Sequence, residues 1–154
     1  MGTEIERKFL LSQTSRRPPG EGILYRQGYL SVDPERSARV RIAGDQAWLT
    51  IKGKSEGMTR REFEYPIPLH DAKDLLDHLC LKPLIEKKRY HIDVEGTCWE
   101  VDEFLGENSG LILAEVELEY PEQSIVLPDW IGEEVTGDPR YYNAALVNTP
   151  YASW

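Results

Sequence analysis

The sequence predicts a mainly β protein with flanking helices, in which eight antiparallel strands close into a barrel that forms a tunnel. Charged residues recur two apart in six short runs, turn signals separate most of the candidate strands, and few regions show helical spacing of apolar residues. Residues two apart point to the same face of a strand. Each run therefore places its charges on one face. The runs are Glu4 to Lys8, Arg39 to Arg41, Lys52 to Lys54, Arg60 to Glu64, Lys87 to Arg89 and Glu115 to Glu117.

The candidate strands follow one another along the chain with short connections. Turn signals such as Arg17-Pro18-Pro19-Gly20 and Asp33-Pro34 lie between them, and short connections favour antiparallel hairpins. Sequential antiparallel strands can close into a barrel, which removes exposed edges and leaves a narrow interior for side chains or one small ligand. The predicted strands cover residues 3–11, 24–32, 37–43, 46–52, 59–67, 85–94, 97–104 and 111–120.

Helical spacing of apolar residues marks the remaining regions. Leucines and an alanine recur at helical intervals over 68–80, which predicts a helix between the fifth and sixth strands. The C-terminal tail predicts two helical segments, 129–136 and 139–147. These segments would pack outside the barrel or plug one of its ends. A length of 154 residues favours a single domain over 1–154.

The composition excludes several classes of protein. No apolar run approaches the roughly 20 residues of a membrane span, and no secretory signal opens the chain, so we expect a cytoplasmic protein without a membrane partner. Only Cys80 and Cys98 are present, with no CxxC motif, which disfavours a disulfide scaffold or a zinc site. A net charge of −9 argues against nucleic-acid binding but allows an anion site whose cations are concentrated in one cavity.

Alternation alone does not say which face of each strand is buried. In an ordinary antiparallel sheet the charges would face water. Repeated pairs of full charges, such as Glu115 with Glu117, disfavour that reading because like charges repel unless cations intervene. Burying charges is costly unless they are paired, metal-bound or hydrated. A water-filled tunnel meets that condition.

The charges of one coherent face are nearly balanced in sign. The bases can bind phosphate oxygens, with arginine favoured for bidentate contacts, and the acids can hold Mg²⁺ or Mn²⁺. The acids are Glu4, Glu6, Glu62, Glu64, Asp102, Glu115 and Glu117, and the bases are Lys8, Arg39, Arg41, Lys52, Arg60, Lys87 and Arg89. This combination suits a polyanion that is bound together with divalent metal.

The order of these motifs resembles a known family. Glu4-Ile5-Glu6-Arg7-Lys8 reads as ExExK near the N terminus, and the tail from Glu134 to Asn143 is also similar to bacterial members. This pattern, over nearly the whole chain, resembles the triphosphate tunnel metalloenzymes, or CYTH superfamily. The motifs between these ends are Arg39-x-Arg41, Lys52, Arg60-x-Glu62-x-Glu64, Lys87-x-Arg89, Asp102 and Glu115-x-Glu117.

The resemblance implies an eight-stranded tunnel and metal-dependent attack on triphosphates. It implies that Glu4, Glu6 and Glu117 hold one metal, and that Glu62 or Glu64, Asp102 and Glu115 hold or orient a second. The phosphate chain would be bound by Lys8, Arg39, Arg41, Lys52, Arg60, Lys87 and Arg89. Lys87 also matches a position proposed to help activate the attacking water, so the expected catalytic set is Lys87 with Glu4, Glu6 and Glu117.

The expected reaction is Mg²⁺- or Mn²⁺-dependent hydrolysis of inorganic tripolyphosphate to pyrophosphate and phosphate. The chain has no evident insertion for a base or a ribose, which favours a small substrate. Hydrolysis of thiamine triphosphate or a nucleoside triphosphate, and cyclisation of ATP, remain alternatives within the family. A non-catalytic polyphosphate- or nucleotide-binding module and a structural β-domain are the alternatives from other classes. The sequence leaves open a homodimer and whether Lys87 or metal-bound hydroxide is the base.

Overall fold

The computed structural model describes residues 2–12 and 21–154, which form nine strands and a small set of helices. The strands are β1 (Gly2–Leu11), β2 (Ile23–Ser31), β3 (Arg36–Ala43), β4 (Gln46–Gly53), β5 (Thr59–Pro66), β6 (Ile85–Val94), β7 (Thr97–Phe104), β8 (Ile112–Glu117) and β9 (Ile131–Glu134). The turn predicted at Arg17-Pro18-Pro19-Gly20 lies outside the described residues.

Strands β1 to β8 close into the predicted antiparallel barrel. Neighbouring strands follow the order β5-β4-β3-β2-β6-β7-β8-β1, and pairing of β1 with β5 closes the ring. The observed ends agree with the predicted ones to within about a residue, except at β8. That strand ends at Glu117, whereas the prediction continued to residue 120.

The predicted helix at 129–136 is wrong, because this segment contains β9. β9 pairs antiparallel with β1 at Phe9 and Leu11. β1 has two edges. One pairs with β8, and the other pairs with β5 only over Gly2–Ile5, so β9 pairs with the remainder of that second edge. Backbone groups along an open strand edge need partners. The edge left by β5 therefore overrides the local helical pattern of the tail.

Helix α1 (Leu69–His78) confirms the helix predicted at 68–80. Pro68 precedes its first residue, where a missing backbone N–H costs nothing. Its buried Ala72 and Leu76 pack with Val40 and Ile42 on the outer face of the barrel. The apolar stripe of α1 thus covers β3 and β4.

The predicted helical segment at 139–147 is two short pieces. A 3₁₀ turn covers Pro139–Tyr141 and helix α2 covers Asn143–Asn148. Tyr142 separates them in an extended conformation, with φ −71° and ψ 134°. This break gives Tyr142 and Asn143 different directions from the residues before them.

Apolar clusters cover the outside of the barrel and one of its ends. On the outside, Phe9 and Trp99 pack edge to face with ring centroids 5.6 Å apart. At one end, Leu146 and Val147 of α2 pack with Ile85, Phe104 and Leu113. The middle of the barrel remains lined by polar side chains. Among the described residues, no helix has the length and apolar character needed to cross a membrane.

Candidate active site

The inner faces of the strands enclose a cavity of about 210 Å³ in which nearly all predicted site residues meet. Strand alternation brings them there, since residues two apart share a face. The predicted residues in its wall are Glu4, Glu6, Lys8, Arg39, Arg41, Lys52, Arg60, Glu62, Glu64, Lys87, Arg89, Glu115 and Glu117. Asp102 is the member of the predicted set that lies behind the wall, fully buried.

Three carboxylates of the cavity resist ionisation. Burial raises the pKa of Glu6 to about 8, with help from the charges of Glu115 and Glu4. Burial also raises the pKa of Glu4 and of Glu117, and Glu117 faces Glu6 directly across β1 and β8. Crowded carboxylates of this kind are suited to a divalent cation, which would relieve their repulsion.

The donor chemistry fits a metal, but the carboxylates are not yet arranged around one. Among residues 2–12 and 21–154, no three acidic, histidine or cysteine side chains surround a common point as ligands would. Lys52 Nζ instead lies 3.0 Å from both oxygens of Glu4 and 3.7 Å from Glu62. A cation would compete with Lys52 for Glu4. The metal assignments therefore stay predictions.

A buried carboxylate orients two bases of the wall. Asp102 accepts a hydrogen bond from Lys87 Nζ at 2.7 Å and two from Arg89, from Nε at 2.7 Å and from Nη2 at 2.8 Å. Burial opposes its charge, but Lys87 and Arg89 hold the pKa of Asp102 far below its usual range. Its predicted contact with a metal stays a prediction, and its observed partners are these two cations.

Lys87 is poised to lose its proton. Burial, together with the charges of Arg89 and Arg41, lowers the pKa of Lys87 to about 7 against the opposing effect of Asp102. Arg89 holds the same carboxylate through two hydrogen bonds, so Asp102 keeps a cationic partner when Lys87 is neutral. A lysine of this kind can accept a proton near neutral pH.

The arginines of β3 present unfilled donor capacity to the cavity. Within the described part of the chain, no hydrogen-bond partner reaches the buried Nε of Arg39. Buried polar atoms without partners are rare in native proteins and point to a missing ligand or water. Burial, with Arg39 and Arg89, also lowers the pKa of Arg41 to about 10. An anion between these guanidinium groups would relieve both conditions.

The C-terminal tail completes the cavity wall beside Lys8. Lys8 Nζ donates to the backbone oxygen of Tyr141 at 3.2 Å and lies 3.6 Å from Glu115. The Tyr142 ring has Lys8 at 5.5 Å and Arg60 at 5.6 Å from its centroid, and its hydroxyl donates to Ser55 Oγ at 3.2 Å. These contacts fix the tail against the tunnel.

Several residues of the wall were missed by reasoning from charge. Glu100 accepts from Arg89 Nη1 at 3.2 Å and lies 3.3 Å from His91 Nε2. Its position two residues before Asp102 on one strand was a usable signal. Thr50 and Asn143 also line the cavity, but they are uncharged and did not stand out in the alternating pattern.

Comparison with known proteins agrees with this geometry. The chain is 53% identical over 156 residues to an inorganic triphosphatase of Acetivibrio thermocellus, covering 100% of this chain and 99% of the relative. It is 38% identical over 150 residues to an inorganic triphosphatase of Nitrosomonas europaea, covering 94% and 96%. The crystal structure of the inorganic triphosphatase NE1496 superposes with a TM-score of 0.66 at 35% identity, covering 93% and 96%.

The sequence also matches a model of a protein family. The CYTH domain model matches residues 2–142, which takes in all of the barrel strands and the segment up to Tyr142. The eight-stranded tunnel, its charged wall and these matches all lead to one assignment. The chain belongs to the CYTH domain family.

Proposed function

We propose that this chain is a metal-dependent inorganic triphosphatase that hydrolyses tripolyphosphate to pyrophosphate and phosphate within its tunnel. The observation that carries the proposal is one cavity whose wall combines two features: a buried arginine donor with no hydrogen-bond partner among residues 2–12 and 21–154, and carboxylates with raised pKa values. A polyanion with a divalent cation would neutralise both sets of charges. Two relatives at 53% and 38% identity, each named as an inorganic triphosphatase, support the proposal.

The bases of the wall bind and orient the phosphate chain. Phosphoryl transfer depends on positioning and charge neutralisation more than on covalent chemistry. Arg39 and Arg41 lie two apart on β3 and present donors to one region of the cavity. Lys8 and Arg60 contact the Tyr142 ring from their own strands, which fixes their positions. Together these residues hold the substrate in a defined register.

Carboxylates of the wall would hold the metal, which we propose to be Mg²⁺ or Mn²⁺. Glu4, Glu6 and Glu117 form one candidate set, while Glu62 or Glu64, Asp102 and Glu115 would hold or orient a second metal. When bound, a divalent metal neutralises phosphate charge and lowers the pKa of a water. Glu6 must release its proton to take part, because its pKa is raised to about 8.

Lys87 acts next to the reacting phosphate as the proton acceptor for the attacking water. Its Nζ is held by Asp102 at 2.7 Å, and the pKa of Lys87 is lowered to about 7. Arg89 balances the charge of Asp102 when Lys87 is neutral, and Arg41, the other cation that acts on Lys87, keeps a positive charge at this part of the wall. The wall thus offers a neutral amine without losing its attraction for an anion.

A substrate panel tests the proposal. Tripolyphosphate, ATP, thiamine triphosphate and long-chain polyphosphate would each be assayed for phosphate release with Mg²⁺, with Mn²⁺ and with EDTA. We expect the highest kcat/KM for tripolyphosphate and no release in EDTA. Glu117→Gln should lose about a hundredfold in kcat by analogy with removal of a preorganised electrostatic group, whereas the nearby exposed Glu119→Gln serves as the matched control.

Each outcome of the panel separates the alternatives. Preference for ATP or thiamine triphosphate would overturn the choice of substrate while keeping a triphosphatase. Tight binding of tripolyphosphate without release of phosphate under any metal would identify a binding module instead. Full activity in EDTA would overturn the metal requirement.

A further inference from the structure

The first residue of helix α2 reaches into the tunnel. The side-chain oxygen of Asn143 accepts a hydrogen bond from Lys87 Nζ at 2.9 Å and another from Gln27 Nε2 at 2.6 Å. A lysine ammonium and an amide nitrogen are both donors, so only the oxygen of the Asn143 carboxamide can face them. Asn143 also lines the cavity wall. The first residue of α2, the helix that packs against one end of the barrel, is therefore joined directly to the proposed proton acceptor.

Gln27 extends this contact along the barrel wall, because its strand β2 lies between β6 and β3. Its side chain is fully buried, and its oxygen accepts from Arg41 Nε at 2.9 Å. Both ends of the amide are thus fixed by partners of the matching kind. Two uncharged amides, Asn143 and Gln27, connect Lys87 on β6 with Arg41 on β3. A rigid neutral link between two cations sets their separation without adding charge to the site.

The contact determines where the Lys87 amine points. A lysine ammonium has three hydrogen-bond donors, whereas the neutral amine has two and carries a lone pair in the third direction. Asp102 takes one at 2.7 Å and Asn143 takes another at 2.9 Å. The remaining direction of Nζ is available to the cavity that Lys87 lines. Without Asn143, the ion pair with Asp102 would remain, but rotation of the amine about its last carbon bond would no longer be fixed.

We propose that Asn143 is a positioning residue for the reaction and that, with Gln27, it aims the Lys87 amine at the substrate held by Arg41. This inference rests on the proposed function, since the aim matters only if Lys87 acts on bound triphosphate. It makes the C-terminal helix part of the reaction machinery as well as a plug for the barrel. Misplacement of a reacting group by about 1 Å can cost about a hundredfold in rate.

The first test is kinetic. Asn143→Ala should lower kcat for tripolyphosphate by about ten- to a hundredfold, while KM changes less than about threefold, because positioning acts on the transition state. Asn148→Ala, the same change at the exposed far end of α2, is the matched control and should behave as wild type. Asn143→Asp keeps an oxygen acceptor and should recover at least part of the lost kcat at its own optimal pH.

A double-mutant cycle tests whether Asn143 acts through Lys87. In a Lys87→Ala background, Asn143→Ala should change the residual kcat by less than about twofold, because the group that it positions is gone. A merely structural role would make the two losses multiply. Multiplying losses, a kcat of Asn143→Ala within twofold of wild type, or no recovery with Asn143→Asp would each overturn the inference.

A measurement without turnover separates this inference from the proposed function. In protein labelled with ¹³C at lysine, the order parameter of the Lys87 Cε methylene should fall in Asn143→Ala and stay unchanged in Asn148→Ala, since a fixed amine moves less on the ps–ns timescale. An unchanged order parameter in Asn143→Ala would overturn the positioning contact. An inactive wild type would overturn the proposed function while this measurement still tested the contact.

Discussion

Two glutamates on one tunnel face have opposite acidities. Burial raises the pKa of Glu6 to about 8, with Glu115 and Glu4 adding to the effect. Burial also acts against the charge of Glu115, but Lys8 and Arg89 overcome it and lower the pKa of Glu115 to about 2. Burial opposes ionisation of both glutamates, but cations outweigh it at Glu115, whereas neighbouring carboxylates add to it at Glu6. Glu115 is therefore a permanent anion of the wall, and Glu6 becomes one when a cation arrives.

The raised pKa of Glu6 predicts a pH dependence of stability. The folded metal-free protein holds the Glu6 proton up to about pH 8, whereas the unfolded chain releases it near 4.5. The native state thus binds more protons over that window, so the contribution of Glu6 to the free energy of unfolding falls as pH rises from about 4.5 to 8. Urea unfolding in EDTA at several pH values would measure it.

A substitution isolates this effect from other titrating groups. Glu6→Gln removes the proton-binding site, so its difference in unfolding free energy from wild type should shift in favour of the variant as pH rises. Glu119→Gln, the same change at an exposed position outside the cavity, is the matched control. If the free energy of unfolding of the wild type rose between pH 5 and 8 in parallel with that of Glu6→Gln, the raised pKa of Glu6 would be contradicted.

Lys87 and Arg41 should give different kinetic defects. Lys87→Ala removes the amine assigned to accept a proton, so kcat should fall by about a hundredfold or more while KM changes little. Arg41→Ala removes a phosphate contact made in the ground state and the transition state alike, so KM should rise with a smaller change in kcat. Steady-state kinetics with tripolyphosphate would distinguish them. A raised KM with intact kcat in Lys87→Ala would show that Lys87 binds phosphate but does not accept the proton.

At the level of elements, the strands were predictable and the tail was not. Alternation of charged and apolar residues identified β1 to β8 because that pattern is a property of each strand alone. β9 pairs with an edge of β1 that becomes available only where β5 ends, and nothing within residues 129–136 reports that edge. Non-local pairing of this kind overrides local propensity.

Within the candidate site, the charged residues were predictable from the sequence and the uncharged ones were not. Charged members of the wall were found because full charges repeated at strand spacing are unusual. Gln27 and Asn143 were missed because an uncharged amide looks like any other polar residue until its partners are known. Asn143 also lies outside the barrel strands, at the start of α2, so strand alternation could not place it.

Packing between β2 and the segment that joins α1 to β6 depends on a glycine. A Cβ at Gly28 would lie 2.7 Å from Cys80 Cβ and 2.8 Å from Leu84 Cδ2. Gly28→Ala should therefore destabilise the protein by about 1–3 kcal/mol through overpacking. Gly53→Ala is the control, since its Cβ would meet only Arg61 Cβ at 3.6 Å. Thermal unfolding would compare them, and equal melting temperatures would contradict the close contact.

For the whole molecule, anion and metal should stabilise each other. The cavity brings together bases that repel without an anion and acids that repel without a cation. A ligand that binds only the folded state adds about 2.7 kcal/mol at a hundredfold excess over its Kd. Tripolyphosphate with Ca²⁺, a metal that we expect to bind without supporting turnover, should raise the melting temperature by more than the sum of the separate shifts. Thermal shift assays with each ligand and with both would measure it.

Variants on both sides of the cavity provide the control. Arg41→Ala and Glu115→Gln should each reduce the extra shift obtained with both ligands, because neutralisation of one set of charges helps binding to the other. Strictly additive shifts in the wild type, or no shift with either ligand, would mean that the charged strand faces do not share an enclosed site.

The pairing of β1 on both of its edges has a consequence for mutational tolerance. β8 lies on one side of this strand, β5 and β9 on the other, so its register cannot slide. Glu4, Glu6 and Lys8 face the cavity, whereas Arg7 contacts Glu134 and Phe9 on the outer surface. Loss of one codon within the strand would exchange these faces for every residue that follows. In a mutational scan, in-frame deletions here should be rejected even at positions where many substitutions are accepted.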